Sequence, residues 1–585
     1  MHRGEKHAII GSISGKTERK YKVERETTVS RSLIAFDTDH IKGYVFGTNK
    51  LKEIRGASSI LDKLNRVETV EVAKSFDAET IYAHGGSALF IVDSQRAEAL
   101  GKEVQRRYHE RTGGGASITY AVQDIPGDDS QPIMAAWQLH GNVSMANMLT
   151  LLRLRLQVAK DSPHMQKTPE RDAQEVDAGA ITALPSHALL CTCESCGVNY
   201  AEGVAKDADD PDEDEGRYCR VCLGKRDEDS KMKRALRNAR KNPLPENSLW
   251  GRIIDALGKD YFSPDAPLPE RPKDFNIFRQ FAQGKEYLGL IYADANNMGQ
   301  AFDGLETLQE VQNLAEKIDN AVFAAMGYAI RTHLPLRGNM FPFDVLLVGG
   351  DDIVIVTPAD KALRVAYTLA EQFQQLTEQQ HTLSVGIVLA PVNYPFRLQQ
   401  ELVEGTLKAA KKAGAQQLHT IESDDREQES RVNFVVVTGN ISLDYQKQYE
   451  ALQGKRIADN TDEFYATMRP YMLKDLDWLL DCVRKGNERQ LGRTKLHQLH
   501  EAILKLNKTT TILESLMVLR NWREKQDRDF IKQMAQRFDE RLTPRQQQMG
   551  TIFPWSLNGK ESSDILTIYR TPLLDFIELY DFVSS

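Results

Sequence analysis

The strongest constraint on this chain is a four-residue break inside an apolar run, Val345-Leu-Leu-Val-Gly349-Gly350-Asp351-Asp352-Ile-Val-Ile-Val356. Two glycines between apolar strands let the backbone reverse sharply, so the run predicts a hairpin with the carboxylates at its edge. Adjacent carboxylates there repel each other and resist desolvation unless a cation neutralises them. A third, Asp294, ends the apolar stretch Leu288-Gly-Leu-Ile-Tyr-Ala-Asp294, where it can converge on the same ion. With no His or Cys alongside, hard oxygen ligands favour Mg²⁺ or Mn²⁺. Such a cluster suits phosphoryl transfer, and Lys411, in Ala410-Lys411-Lys412-Ala413-Gly414, is the natural phosphate partner.

The surrounding pattern occurs twice. Leu33–Asp37, a Gly85-Gly86 hairpin over 81–92, a strand over 117–122 and a helix over 149–160 come first. The same order returns as 288–294, helix 305–331, hairpin 345–356, helix 360–378, strand 383–388 and helix 400–412. Laid over one another, Asp37 falls on Asp294, Gly85-Gly86 on Gly349-Gly350, Pro126 on Pro391 and Lys160 on Lys411, as an internal duplication requires. That overlay puts Ser87-Ala88 where the second copy has Asp351-Asp352, so only the second copy keeps the paired carboxylates.

Between the copies, Cys193-x-x-Cys196 and Cys219-x-x-Cys222 have the spacing of a four-cysteine zinc ribbon, with Cys191 as a bystander thiol. The metal there staples an insertion too small to own a core. An acidic tract, 207–215, is expected to loop out of it, and Lys231–Lys241 reads as a basic helix face. His84 reads as a turn residue, and Trp478 and Trp522 as core of a C-terminal helical region. The net charge of -8 excludes a globally basic coat for nucleic acid, so any such contact is regional. No apolar run approaches the roughly 20 residues of a membrane span, and a cytoplasmic location is the default expectation.

These residues resemble the large polymerase/cyclase subunit of type III CRISPR effector complexes. The resemblance rests on Phe36-Asp37-Thr-Asp39-His-Ile-Lys42, Leu51-Lys-Glu-Ile-Arg-Gly-Ala-Ser58, the zinc cysteines, Tyr292-Ala-Asp294-Ala-Asn-Asn-Met-Gly299 and Gly349-Gly-Asp-Asp352. Ala410-Lys411-x-x-Gly414 is also similar, more distantly, to GGDEF cyclases. The implied fold is α+β: two ferredoxin-like palm domains, a zinc-ribbon insertion and an α-helical C-terminal domain. The expected divisions are an extension over 1–30, a degenerate first palm over 31–180, the insertion over 181–280, the second palm over 281–440 and helices over 441–585. The resemblance implies Mg²⁺-dependent conversion of ATP to cyclic oligoadenylates. Asp294, Asp351 and Asp352 would serve as catalytic metal ligands, and Gly349, Gly350, Lys411, Asp37 and Ser58 would contact nucleotide. It also implies guide and target RNA, with backbone and small subunits, as partners. No His-Asp dipeptide occurs in the chain, so the nuclease domain of many members is not expected. Two alternatives stand beside this reading: a cyclase working outside a guide-RNA complex, and a scaffold subunit with little catalysis. A template-dependent polymerase is less compatible with the overall acidity.

Overall fold

The computed structural model describes residues 30–126, 133–136, 138–139, 143–161, 191–206, 215–264, 266–282, 285–420, 429–438, 456–458, 462–505, 508–538, 553–560 and 567–582. The expected N-terminal extension, nearly all of the acidic tract and the stretch 441–455 lie outside them.

The first half builds β1 (Arg31–Asp39), α1 (Ile41–Phe46), α2 (Leu51–Lys63), a π-helical turn (Leu64–Glu68), α3 (Thr69–Ser75), β2 (Glu79–His84), β3 (Ser87–Asp93), α4 (Ser94–Thr112), β4 (Ser117–Ile125) and α5 (Met145–Asp161). Its sheet runs β2-β3-β1-β4. The second half repeats this as β5 (Tyr287–Ala295), α8 (Met298–Asp303), α9 (Leu308–His333), β6 (Asp344–Gly349), β7 (Asp352–Pro358), α10 (Ala359–Leu376), β8 (Leu383–Pro391) and α11 (Phe396–Thr420). Its sheet order is β6-β7-β5-β8, extended by β9 (Arg431–Val436) and a two-residue strand at Tyr471–Met472. Even the left-handed residue that opens the short helix after the first strand is repeated, His40 (φ 52°) before α1 and Asn297 (φ 55°) before α8.

The ladders correct one detail of the duplication. Asp37 pairs with Ser87, and in the second sheet the residue facing Ile353 is Ala293, so Ser87 stands where Asp352 does. Each hairpin carries a register shift, between Thr80 and Tyr82 in one and between Val345 and Leu347 in the other. These shifts superpose only if Gly85 lies on Gly350, at φ 70° and 68°. The first copy therefore has Gly86-Ser87, not Ser87-Ala88, in place of Asp351-Asp352. The Gly-Gly identity misled the overlay by one residue, because the fold conserves the bulge and the left-handed glycine, not the dipeptide.

The insertion docks through α6 (Arg220–Asn238) on α2, closely enough that a Cβ on Gly56 would collide with the Lys225 carbonyl. At this seam the fully buried Arg55 guanidinium pairs with Asp229 (2.9 Å) and Asp344 (3.2 Å) and donates to the Pro272 carbonyl (2.6 Å). One ion cluster thus ties first palm, insertion and second palm together. A further helix, α7 (Leu249–Leu257), packs on α9.

The C-terminal region is helical over α12 (Leu473–Glu488), α13 (Arg493–Leu504), α14 (Lys508–Arg520), α15 (Lys525–Gln536) and α16 (Leu573–Leu579). It also holds a small four-stranded sheet, from Arg456–Ala458, Asp462–Tyr465, Ser556–Lys560 and Thr567–Arg570, which helical periodicity does not announce. Trp522 is buried in the shared core and Trp478 packs against it.

Candidate active site

The two hairpin tips meet at the seam between the palms: a Cβ on Gly85 would lie 2.6 Å from the Gly350 Cα. Only glycine tolerates both that approach and the positive φ. The contact fixes the tip that carries Asp351 and Asp352 against the first palm.

Asp294, at the end of β5, lies within electrostatic reach of both hairpin carboxylates. Its Oδ2 is 2.5 Å from Lys411 Nζ, on α11. The structure thus brings together four of the residues singled out in the sequence. Burial, then the charges of Asp294 and Asp352, push Asp351 up to about 7; burial, then Asp294, push Asp352 up to about 6. Asp352 and the Tyr292 hydroxyl are buried side by side, each the other's hydrogen-bonding neighbour. The site holds more negative charge than its lysines neutralise, and its donor atoms are all oxygen, so the residues fit a hard divalent cation.

Asp37 repeats the Asp294 arrangement, 2.6 Å from Lys160 Nζ on α5. Beside it a cavity of about 360 Å³ opens between the palms. Ala35, Tyr82 and Ser87 line it from one side, Gly299, Phe302 and Gly350-Asp351 from the other. The same space in the second palm is filled. Tyr292 stands at the position of Ala35, and Lys42 at that of Gly299. Lys42 Nζ lies 4.7 Å from the Tyr292 ring centroid and 3.7 Å from Glu404. Ser58 is buried within α2 and does not line the cavity.

His84 is half-buried at the cavity wall, its Nδ1 3.9 Å from Asp319, and desolvation lowers its pKa to about 4. It is thus a neutral cavity-wall residue and not a surface turn residue. Asp319, on α9, also accepts two hydrogen bonds from Arg66 and pairs with Arg252. Sequence reasoning missed this hub, Tyr292, Glu404 and the placement of Lys42. The one available signal was the contrast between Lys42 and Gly299 at matched positions of the repeat.

The Sγ atoms of Cys193, Cys196, Cys219 and Cys222 all lie within 4.8 Å of one another, and none is in a disulfide. Tetrahedral zinc with bonds of about 2.3 Å sets sulfurs about 3.8 Å apart, and Cys196 and Cys219 are 3.9 Å apart. Cys191 is exposed and lies outside the four, accepting from Arg217 at 3.1 Å. The basic face of α6 is largely spent within the chain: Lys231 pairs with Asp227, Lys233 with Asp229 and Arg237 with Glu270. No helix among the described residues is long and apolar enough to cross a membrane.

Residues 287–418 match the family model for the Cas10/Cmr2 second palm domain. A 153-residue stretch is 27% identical to the CRISPR system single-strand-specific deoxyribonuclease Cas10/Csm1 (subtype III-A) of Mycobacterium tuberculosis, covering 24% of this chain and 19% of that relative. The fold is similar to a Csm1–Csm4 cassette crystallised with cA4, at TM-score 0.54 and 15% identity, over 95% of this chain and 70% of that one. A cassette crystallised with cA3 gives TM-score 0.50 and 15% identity, over 96% and 71%. Residues 287–418 are a second palm domain of the Cas10/Cmr2 kind, and the chain is related to the large subunit of type III CRISPR systems.

Proposed function

We propose that this protein is a nucleotidyltransferase that joins ATP molecules through 3′–5′ bonds and closes them into cyclic oligoadenylates, as the large subunit of a type III RNA-guided complex. The observation that carries the reading is the convergence of Asp294, Asp351 and Asp352 with Lys411, where Asp351 also lines an inter-palm cavity. The similar Csm1–Csm4 cassette with cA4 supports the product class.

Asp294, Asp351 and Asp352 would hold Mg²⁺ or Mn²⁺, which supplies Lewis-acid activation of the attacking hydroxyl and neutralises phosphate charge. Lys411 orients Asp294 and lies where a donor triphosphate meets the carboxylates. The reaction forms a bond from the acceptor 3′-oxygen to the donor α-phosphorus and expels pyrophosphate, with loss of the hydroxyl proton. The cavity beside Asp37 and Ser87 receives the acceptor nucleoside; its wall of Ala35, Tyr82, Leu89 and Phe302 excludes water from one face of a base. The four cysteines would hold structural zinc, which would fix the start of α6, where Cys219 and Cys222 stand. Guide and target RNA, with backbone subunits, would gate the activity.

The test is incubation of the purified chain with labelled ATP and Mg²⁺, with and without RNA and partner subunits, beside an Asp351→Ala/Asp352→Ala variant. Ring-closed oligoadenylate from the wild type alone supports the reading. Its absence under every partner condition refutes it, and product whose length follows a template points to a polymerase instead.

A further inference from the structure

The palms exchange side chains unequally across their seam. α1 of the first palm reaches over the second-palm site, and α8 of the second reaches over the first-palm cavity. At matched positions the first contributes Lys42 and the second Gly299. Of these two matched positions, only the one over the carboxylate site carries a cation.

Lys42 is not consumed by a close partner. Its Nζ is 3.7 Å from Glu404, beyond hydrogen-bonding range, and rests over the Tyr292 ring at 4.7 Å. The lysine remains 44% exposed. Its charge acts on Asp352, the buried carboxylate beside Tyr292. Lys411, by contrast, is held at 2.5 Å by Asp294. A triphosphate arriving at three carboxylates needs mobile positive charge, and Lys42 is the lysine placed to supply it from across the seam.

We infer that Lys42 is a phosphate-binding residue of the second-palm site, lent by the first palm to hold the triphosphate of the donor nucleotide. This rests on the nucleotidyltransferase reading above. It gives the first palm a role that needs no carboxylates of its own: it supplies a cation to the site that retains them.

Direct binding to the full-length chain tests this, with ATP and adenosine as probes in the presence of Mg²⁺. Lys42→Met weakens ATP binding by roughly tenfold, the loss of one charge-assisted contact, and leaves adenosine binding unchanged, while Lys42→Arg recovers most of the loss. Glu404→Gln, which removes the cross-palm ion pair but leaves the lysine, keeps ATP binding. The inference fails if Lys42→Met binds ATP as the wild type does, if ATP and adenosine weaken together, or if Glu404→Gln reproduces the loss, since the lysine would then be a structural tie. A wild type that binds no ATP would sink the nucleotidyltransferase reading and this inference with it; a wild type that binds ATP beside an unaffected Lys42→Met sinks the inference alone.

Discussion

Replacing Asp352 by Asn should stabilise the metal-free protein while removing its activity. Burial and the neighbouring Asp294 raise the Asp352 carboxyl from the ordinary 3.8 to about 6. A carboxyl that holds its proton more tightly folded than unfolded favours the folded state most at low pH. Its contribution falls as pH rises from about 4 through about 6 and is then a fixed penalty. At about 1.4 kcal/mol per unit, a shift of roughly two units makes the ionised group cost about 3 kcal/mol above that range. Asn keeps the shape and cannot ionise. For a palm of about 150 residues, relief of 2–3 kcal/mol corresponds to a rise in Tm of roughly 4–10 °C.

The assay is thermal unfolding in buffer stripped of Mg²⁺ without a chelator strong enough to extract zinc, at about pH 5 and about pH 8. The wild type should lose more stability than Asp352→Asn between the two, so that the variant is the more stable protein at the higher pH. Added Mg²⁺ should then raise the wild-type Tm by mass action and leave the variant nearly unmoved. A variant less stable than wild type at the higher pH, or one that gains as much from Mg²⁺, would refute the view that this hairpin is strained by uncompensated charge.

Arg55→Ala takes the central cation from Asp229 and Asp344, which keep Lys233 and Arg271 respectively, and should cost about 3 kcal/mol, measured by urea unfolding, with zinc retained in the surviving folded fraction. Gly85→Ala forces an L side chain into a left-handed backbone, about 1–2 kcal/mol, and drives its Cβ into Gly350. Oligoadenylate synthesis should fall well beyond that stability loss, whereas Gly338→Ala, also left-handed but with open space around it, should leave synthesis intact. Cys219→Ser removes both a ligand and the residue that opens α6, so zinc measured by mass spectrometry should be lost and proteolysis should begin in the insertion, while Cys191→Ser should change neither.

What was legible in the sequence was whatever local patterning dictates. The apolar strands around Gly349-Gly350, the Asp that ends β5 and the paired Cys-x-x-Cys knuckles each announce themselves within a dozen residues. So does the duplication, since two copies keep one order of strands and helices. The hairpin register was misread because it depends on a bulge at Ile81 and Leu346, which identity alone does not reveal. The Asp319 hub and the Tyr292–Lys42–Glu404 cluster join residues far apart in sequence, so no window along the chain contains them. The small C-terminal sheet was hidden for the same reason: its parallel pair, Asp462–Tyr465 with Thr567–Arg570, spans most of the helical region.

The duplicated Asp–Lys pair suggests how one copy could lose its metal site without losing its fold. Asp37 with Lys160 and Asp294 with Lys411 are both salt-bridged, at 2.6 and 2.5 Å, so each pair neutralises itself and is inexpensive to keep. The hairpin carboxylates have no such partner: burial and the like charges beside them raise the pKa of both. A palm that no longer bound a cation would gain stability by replacing them, and the first palm has Gly86 and Ser87 in their place. Once those carboxylates were gone, a lysine reaching over from the second palm would have had nothing to offset, and Gly299 stands there instead, lining an open cavity. At the second-palm site both carboxylates and Lys42, the latter from the first palm, are present together. The two sites therefore differ on both sides of the seam at once, which is the pattern expected if one of two formerly equivalent sites is retained for chemistry and the other for holding a nucleoside.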